Sequence, residues 1–197
     1  MPARRGVHAP STVCCWIWSA ERDLALRADL LGASSGAMAV AIRRATAADA
    51  QGILECLRLA FEPYRQRYTP AGFADTVLGP ATIHDRLAAM TVLVAIDGSA
   101  IVGTIGCHAG AGGEGHIRGM AVRPSWQGTG VAQRLLDAAL ADLSARGCVR
   151  VTLDTTEPLR RAIRFYEGNG FRPTGIVGDF FGMPLFEYVR ALGGPTR

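Results

Sequence analysis

The residues Gln127-Gly128-Thr129-Gly130-Val131-Ala132 have the types and spacing that suit an anion-binding turn. They follow the strand-like Met120-Ala121-Val122 and the pair Arg123-Pro124, and they open an amphipathic run that reaches Arg146. Glycine at 128 and 130 lets the backbone approach a ligand and take dihedrals that other residues avoid. The N–H groups in the first turn of the following helix have no intrahelical partner and lie at the positive end of its dipole. A pyrophosphate is the ligand class such a turn takes. No Lys-Ser/Thr follows, so the segment is not a P-loop, and its glycines are not spaced as G-x-G-x-x-G. The bare form Gln/Arg-x-x-Gly-x-Gly/Ala arises about once by chance in a chain of this composition, so the flanking strand and helix carry the inference.

Those flanks belong to a regular series of elements. Val40 to Arg44 alternates like a strand, and Thr46 with Asp49 resembles a capping box opening a helix that runs to about Phe61. A short helix is expected over 71–78 and another from Thr82 to Met90. Thr91–Ile96 and Ala100–His108 flank Asp97-Gly98 as a β-hairpin. Gly110 to Gly115 reads as a loop and His116 to Val122 as a strand. In the helix from Val131 to Arg146, Val131, Leu135, Ala139 and Leu143 share one face. Val149 to Asp154 is a strand, and a helix follows to Glu167. The final strands are expected at Phe171–Ile176 and Leu185–Val189. The order β-α-α-β-β-β-α-β-α-β-β predicts one mixed sheet with helices.

Composition narrows the function classes. The chain has 197 residues, 49% hydrophobic and 19% charged, enough for a packed core and too apolar for a disordered chain. No apolar run reaches the roughly 20 residues of a membrane span, so no membrane partner is expected. All 21 cations are Arg, and the formal net charge of +4 is too small and too scattered for a nucleic-acid binder. The five cysteines fit no zinc or redox spacing, and no metal site is expected; reduced thiols in a cytoplasmic protein are the favoured reading. Residues 1–37 read as a poorly ordered tail or mis-assigned extension, and 38–197 as the working domain.

The glycine turn and a second segment, Ala162-Ile163-Arg164-Phe165-Tyr166-Glu167-Gly168-Asn169-Gly170-Phe171, together resemble the GNAT-type N-acetyltransferase family, over about residues 40–190. The second segment matches the family's pattern A-I-x-x-Y-E-x-x-G-F. The resemblance implies an α/β fold, the GNAT (acyl-CoA N-acyltransferase) fold, whose mixed central sheet is flanked by helices and splayed between the strands at 116–122 and 149–154. It implies acetyl-CoA as co-substrate, with the pyrophosphate on the backbone of Gln127, Gly128, Thr129, Gly130, Val131 and Ala132. Met120, Ala121 and Val122 would bond the pantetheine arm like an added strand, and one of their N–H groups would serve the thioester oxygen. Tyr166 would act as general acid toward the leaving sulfur.

The implied reaction is direct attack of a primary amine on the thioester in a ternary complex, with a small-molecule or peptide amine as acceptor. A homodimer is an assembly implied by the resemblance alone. Two departures from the family pattern stand out. Leu159 occupies the place where an Asn often stands, and no Glu lies on the strand before the turn. The base is therefore open among His116, Glu114 and Asp154. The alternative these departures raise is a non-catalytic acyl-CoA-binding sensor on the same fold.

Overall fold

The apolar runs of the chain pair into one sheet because each lies next in sequence to a turn or helix that returns it. The computed structural model describes residues 40–193, so the expectation for residues 1–37 lies outside the described residues. The strands are β1 (Ala41–Arg44), β2 (Thr91–Asp97), β3 (Ala100–Ala109), β4 (Glu114–Val122), β5 (Arg150–Thr156), β6 (Arg172–Phe180) and β7 (Met183–Ala191). The helices are α1 (Ala50–Phe61), α2 (Pro70–Val77), α3 (Pro80–Ala89), α4 (Val131–Ala145) and α5 (Arg160–Gly168). Three helices separate β1 from β2. The short helix expected over 71–78 is α2, which Pro70 starts and the Thr69 hydroxyl caps by accepting from Gly72 N–H at 3.2 Å.

The sheet order is β1-β2-β3-β4-β5-β7-β6. Every pairing is antiparallel except β4 with β5. A parallel pair needs a long crossover, which α4 supplies. That pair is short. It begins at Glu114↔Arg150 and ends at Ile117↔Leu153, while β4 continues to Val122 and β5 to Thr156. The two strands therefore part beyond residues 117 and 153, and a gap opens in the middle of the sheet.

Helices cover both faces. A bulge in β3 at Val102, where Ala95↔Gly103 is followed by Ile96↔Ile101, turns neighbouring odd-numbered residues to opposite sides. Ile101 meets α1, where a Cβ on Gly52 would lie 2.9 Å from its Cδ1. Gly103 meets α4, where an added Cβ would lie 2.8 Å from Leu135 Cδ1. The core fills both interfaces: Ile53, Leu57 and Phe61 from α1, and Leu135, Leu136, Ala139 and Leu143 from α4, are buried. Gly106 lies against Met90, at the end of α3, so the even-numbered side chains of this part of β3 face α3. Among the described residues, no helix is long and apolar enough to cross a membrane.

Candidate active site

The glycine turn stands at the mouth of the gap. After β4, Arg123 N–H donates to Val102 O at 2.8 Å and Pro124–Trp126 makes one 3-10 turn. The Gln127 side chain folds back and donates to Val122 O at 3.1 Å, and its own N–H donates to Pro124 O at 3.3 Å. The Thr129 hydroxyl donates to Trp126 O at 2.7 Å. These bonds hold the turn from within, so Gln127 shapes it. Gly128 and Gly130 lie at φ 82° and 85°, the left-handed region that glycine enters without steric cost. A Cβ on Gly130 would meet open space. Gly130 caps α4 without a side-chain bond, and the first backbone bond of this segment runs from Arg134 N–H to Gly130 O at 3.1 Å. The N–H groups of Val131, Ala132 and Gln133 precede it at the end of a 15-residue helix.

The strand end beside the gap carries a second device. Thr104↔Ala121 and Gly106↔Arg118 leave Gly119 and Met120 opposite Ile105 alone, a bulge that Gly119 accommodates at φ 67°. Met120, Ala121 and Val122 are buried, and the edge of β4 beyond Ile117 faces the gap rather than a strand. Such an edge is a row of peptide groups able to pair with an extended ligand.

Tyr166 lies on α5, 2% exposed, with its ring edge-on to Phe165 (5.8 Å between centroids) and Phe171 (5.6 Å). The helix ends where Gly170 N–H donates to Glu167 O and Phe171 N–H to Tyr166 O, both at 3.0 Å. The glycine turn and the tyrosine helix are joined by a contact that sequence reasoning missed. Gln133, in the first turn of α4, donates from Nε2 to Asn169 Oδ1 at 2.7 Å, and Asn169 Nδ2 donates to Phe165 O at 2.9 Å. Both residues sit inside or beside the two motifs, but only the fold brings them together. Leu159 is 1% exposed and packed in the core.

The three base candidates separate. Glu114 is the first residue of β4 rather than part of a loop, because backbone pairing to Arg150 already begins there. Its carboxylate binds Arg150 Nε at 2.6 Å. His116 and Asp154 come together across the parallel ladder, with Nε2 and Oδ2 3.6 Å apart. His116 Nδ1 lies 3.0 Å from Thr152 Oγ1. Burial, with His108 and Arg118 nearby, lowers the His116 imidazole to about 4. Burial, with Glu187 across the β5–β7 ladder, raises the Asp154 carboxyl to about 6.

His108 packs its ring 5.6 Å from that of His116 and, with Arg118, lines a cavity of ≈ 420 Å³ walled by α2 and α3. Tyr68 and Phe73 are buried and stack edge-on, and the Tyr68 hydroxyl lies 2.9 Å from Thr156 Oγ1 at the end of β5. The described cysteines, Cys56, Cys107 and Cys148, are free and buried, and desolvation raises Cys56 and Cys107 to about 12.

The sequence model of the acetyltransferase (GNAT) family matches residues 52–171. A curated relative, N-alpha-acetyltransferase 30 of Schizosaccharomyces pombe, is 32% identical over 82 residues, covering 40% of this chain and 55% of the relative. The match thus spans about half the length of that protein. Among solved structures, the PaiA N-acetyltransferase of Thermoplasma acidophilum in complex with coenzyme A superposes with a TM-score of 0.66 at 18% identity, over 79% of this chain and 100% of the other. The ribosomal-protein-alanine N-acetyltransferase of Brucella melitensis does so with a TM-score of 0.61 at 20% identity, over 77% and 99%.

Proposed function

The chain belongs to the acetyltransferase (GNAT) family and is an acyltransferase, and on that premise we propose that it transfers an acetyl group from acetyl-CoA to a primary amine by direct attack in a ternary complex. The observation that carries this reading is the gap between β4 and β5 with the glycine turn at its mouth. The residues present fit the co-substrate. Gly128, Thr129, Gly130, Val131 and Ala132 would offer backbone N–H groups to a pyrophosphate, and a Cβ on Gly130 would meet only open space. The β4 edge over Met120, Ala121 and Val122 offers peptide groups to the pantetheine amides. When bound, acetyl-CoA supplies an activated acyl group whose thiol, with a pKa of about 8.5, is a tolerable leaving group.

Tyr166 holds a hydroxyl proton for that sulfur. The bulge at Gly119 and Met120 interrupts the β3–β4 ladder beside the gap, and a backbone N–H of this strand end would serve the developing oxyanion. Among the described residues, direct attack is favoured over a covalent acyl-enzyme because the described cysteines, Cys56, Cys107 and Cys148, are buried and a thiolate is the nucleophilic form. The acceptor class is a small-molecule or peptide amine. The names of the fission-yeast relative and the Brucella structure support the peptide class.

Calorimetric titration of acetyl-CoA into the full chain tests the reading. Binding is expected for the parent protein and is expected to be lost in Gly130→Glu, whose carboxylate would repel phosphate and whose Cβ is disfavoured at φ 85°. No binding by the parent sinks the proposal. Binding without turnover on any amine would identify an acyl-CoA sensor instead.

A further inference from the structure

We propose that Asp154, oriented by His116, accepts the proton that the amine must lose before it attacks. This rests on the acetyl-transfer reading above and supplies the base that the family pattern leaves open in this chain. The argument begins with register. Ile117↔Leu153 is the last pair of the β4–β5 ladder, so Asp154 is the first β5 residue past the point where the strands part. His116 lies one residue before that point on β4 and faces Asp154 across it at 3.6 Å. The dyad thus stands at the apex of the gap, where an acyl group laid along β4 and an amine arriving at the sheet would meet.

The face is also suitable. Gly115 packs against Leu143 of α4, which puts His116 and Arg118 on the opposite face, toward α3 and the cavity lined by His108 and Arg118. The phosphate turn and α4 occupy one side of the sheet and the dyad opens to the other. An acceptor can therefore reach Asp154 without crossing the co-substrate. Side-chain exposures of 21% for His116 and 17% for Asp154 leave a path for protons while removing most water. Glu114, the competing carboxylate on β4, is held by Arg150.

The charged groups that face the pair are His108 on β3, Arg118 on β4 and Glu187 on β7, with Asp75, Asp85 and Arg86 across the cavity on α2 and α3. At neutral pH the imidazole is neutral and the carboxylate ionised. His116 Nδ1 and the Thr152 hydroxyl share a hydrogen bond at 3.0 Å, and the Nε2 edge of the ring is turned toward Asp154. At 3.6 Å the imidazole is packed beside the carboxylate, fixing its place at the strand end while leaving its lone pairs open to the amine.

The step balances as follows. An alkylammonium gives one proton to Asp154 and becomes a neutral amine. Its lone pair forms the bond to the acetyl carbon while the carbon–sulfur bond breaks with its electrons on sulfur. A second nitrogen proton reaches the sulfur by way of the Tyr166 hydroxyl. Asp154 then releases its proton to water, and the products are an amide, a thiol and one proton.

The test combines kinetics, binding and titration on the full chain. With an alanine-initiated tetrapeptide as acceptor, Asp154→Asn should lower kcat/KM at pH 7 on the order of 10²-fold while acetyl-CoA binding by calorimetry stays within about twofold. The acid limb of the pH profile near 6 should vanish, and the deficit should shrink above pH ~9, where the amine sheds its own proton. Asp154→Glu should keep an acid limb, and His116→Gln should move it, which a purely structural role would not do. An acid limb unchanged in Asp154→Asn overturns the assignment while leaving acetyl transfer intact. Loss of acetyl-CoA binding by the parent overturns the underlying reading instead. If the peptide is not acetylated, the carboxyl ¹³C titration of Asp154 decides. A midpoint near 6 that moves in His116→Gln supports the dyad, and a midpoint below 5 removes it.

Discussion

Tyr166 is enclosed by Phe165 and Phe171, and that enclosure makes its hydroxyl separable from its ring. Tyr166→Phe should keep the packing and acetyl-CoA affinity but lower kcat on the order of 10²-fold, as steady-state kinetics beside calorimetry would show. His116 and Asp154 make a second prediction at this scale. The folded-state pKa of His116 lies below its ordinary value, so its contribution to stability is lost as pH falls from about 6.5 to 4. That of Asp154 lies above its ordinary value, so its contribution is lost as pH rises from about 4 to 6. The two oppose each other over one window. Thermal melts should show Asp154→Asn gaining stability as pH rises from 4 to 6.5, and His116→Gln losing stability as pH rises from 4 to 6. Parallel pH slopes in both variants would refute this sign assignment.

At the scale of elements, what was legible in the sequence is what neighbouring residues decide among themselves. The glycine turn could be read because strand, Gly-x-Gly and helix are contiguous, and the β2–β3 hairpin because Asp97-Gly98 is a local turn signal. Tyr166 was legible through its motif. The His116–Asp154 pair was not, because it depends on the register of a parallel ladder between residues 38 positions apart. The start of β4 was misplaced for the same reason. The stretch from Gly110 to Gly115 is loop-like by composition, but Glu114 and Gly115 are held by Arg150 and Val151. Gln133–Asn169 also needed the fold. Asn169→Ala should weaken acetyl-CoA binding severalfold by loosening α4 from α5, at a stability cost of about 1 kcal/mol. Leu135→Ala, in the fully buried face of α4, should cost ~2–5 kcal/mol in a denaturant titration and leave binding determinants in place.

At the scale of the whole molecule, the β1–β4 half of the sheet joins the β5–β7 half through the pairs between Glu114↔Arg150 and Ile117↔Leu153. A ligand paired along Met120, Ala121 and Val122 and held at the α4 N-terminus would bridge what the backbone leaves apart. Binding only the native state, it would add about 2.7 kcal/mol at a hundredfold excess over Kd, or roughly 5–10 °C in Tm for a domain of this size. A melting temperature indifferent to acetyl-CoA would contradict that coupling. On the proposed acetyl transfer, the open seam in the sheet would link the persistence of the folded protein to the metabolic supply of its acyl donor. In a cell short of acetyl-CoA, the chain would then be more exposed to unfolding and proteolysis as well as idle.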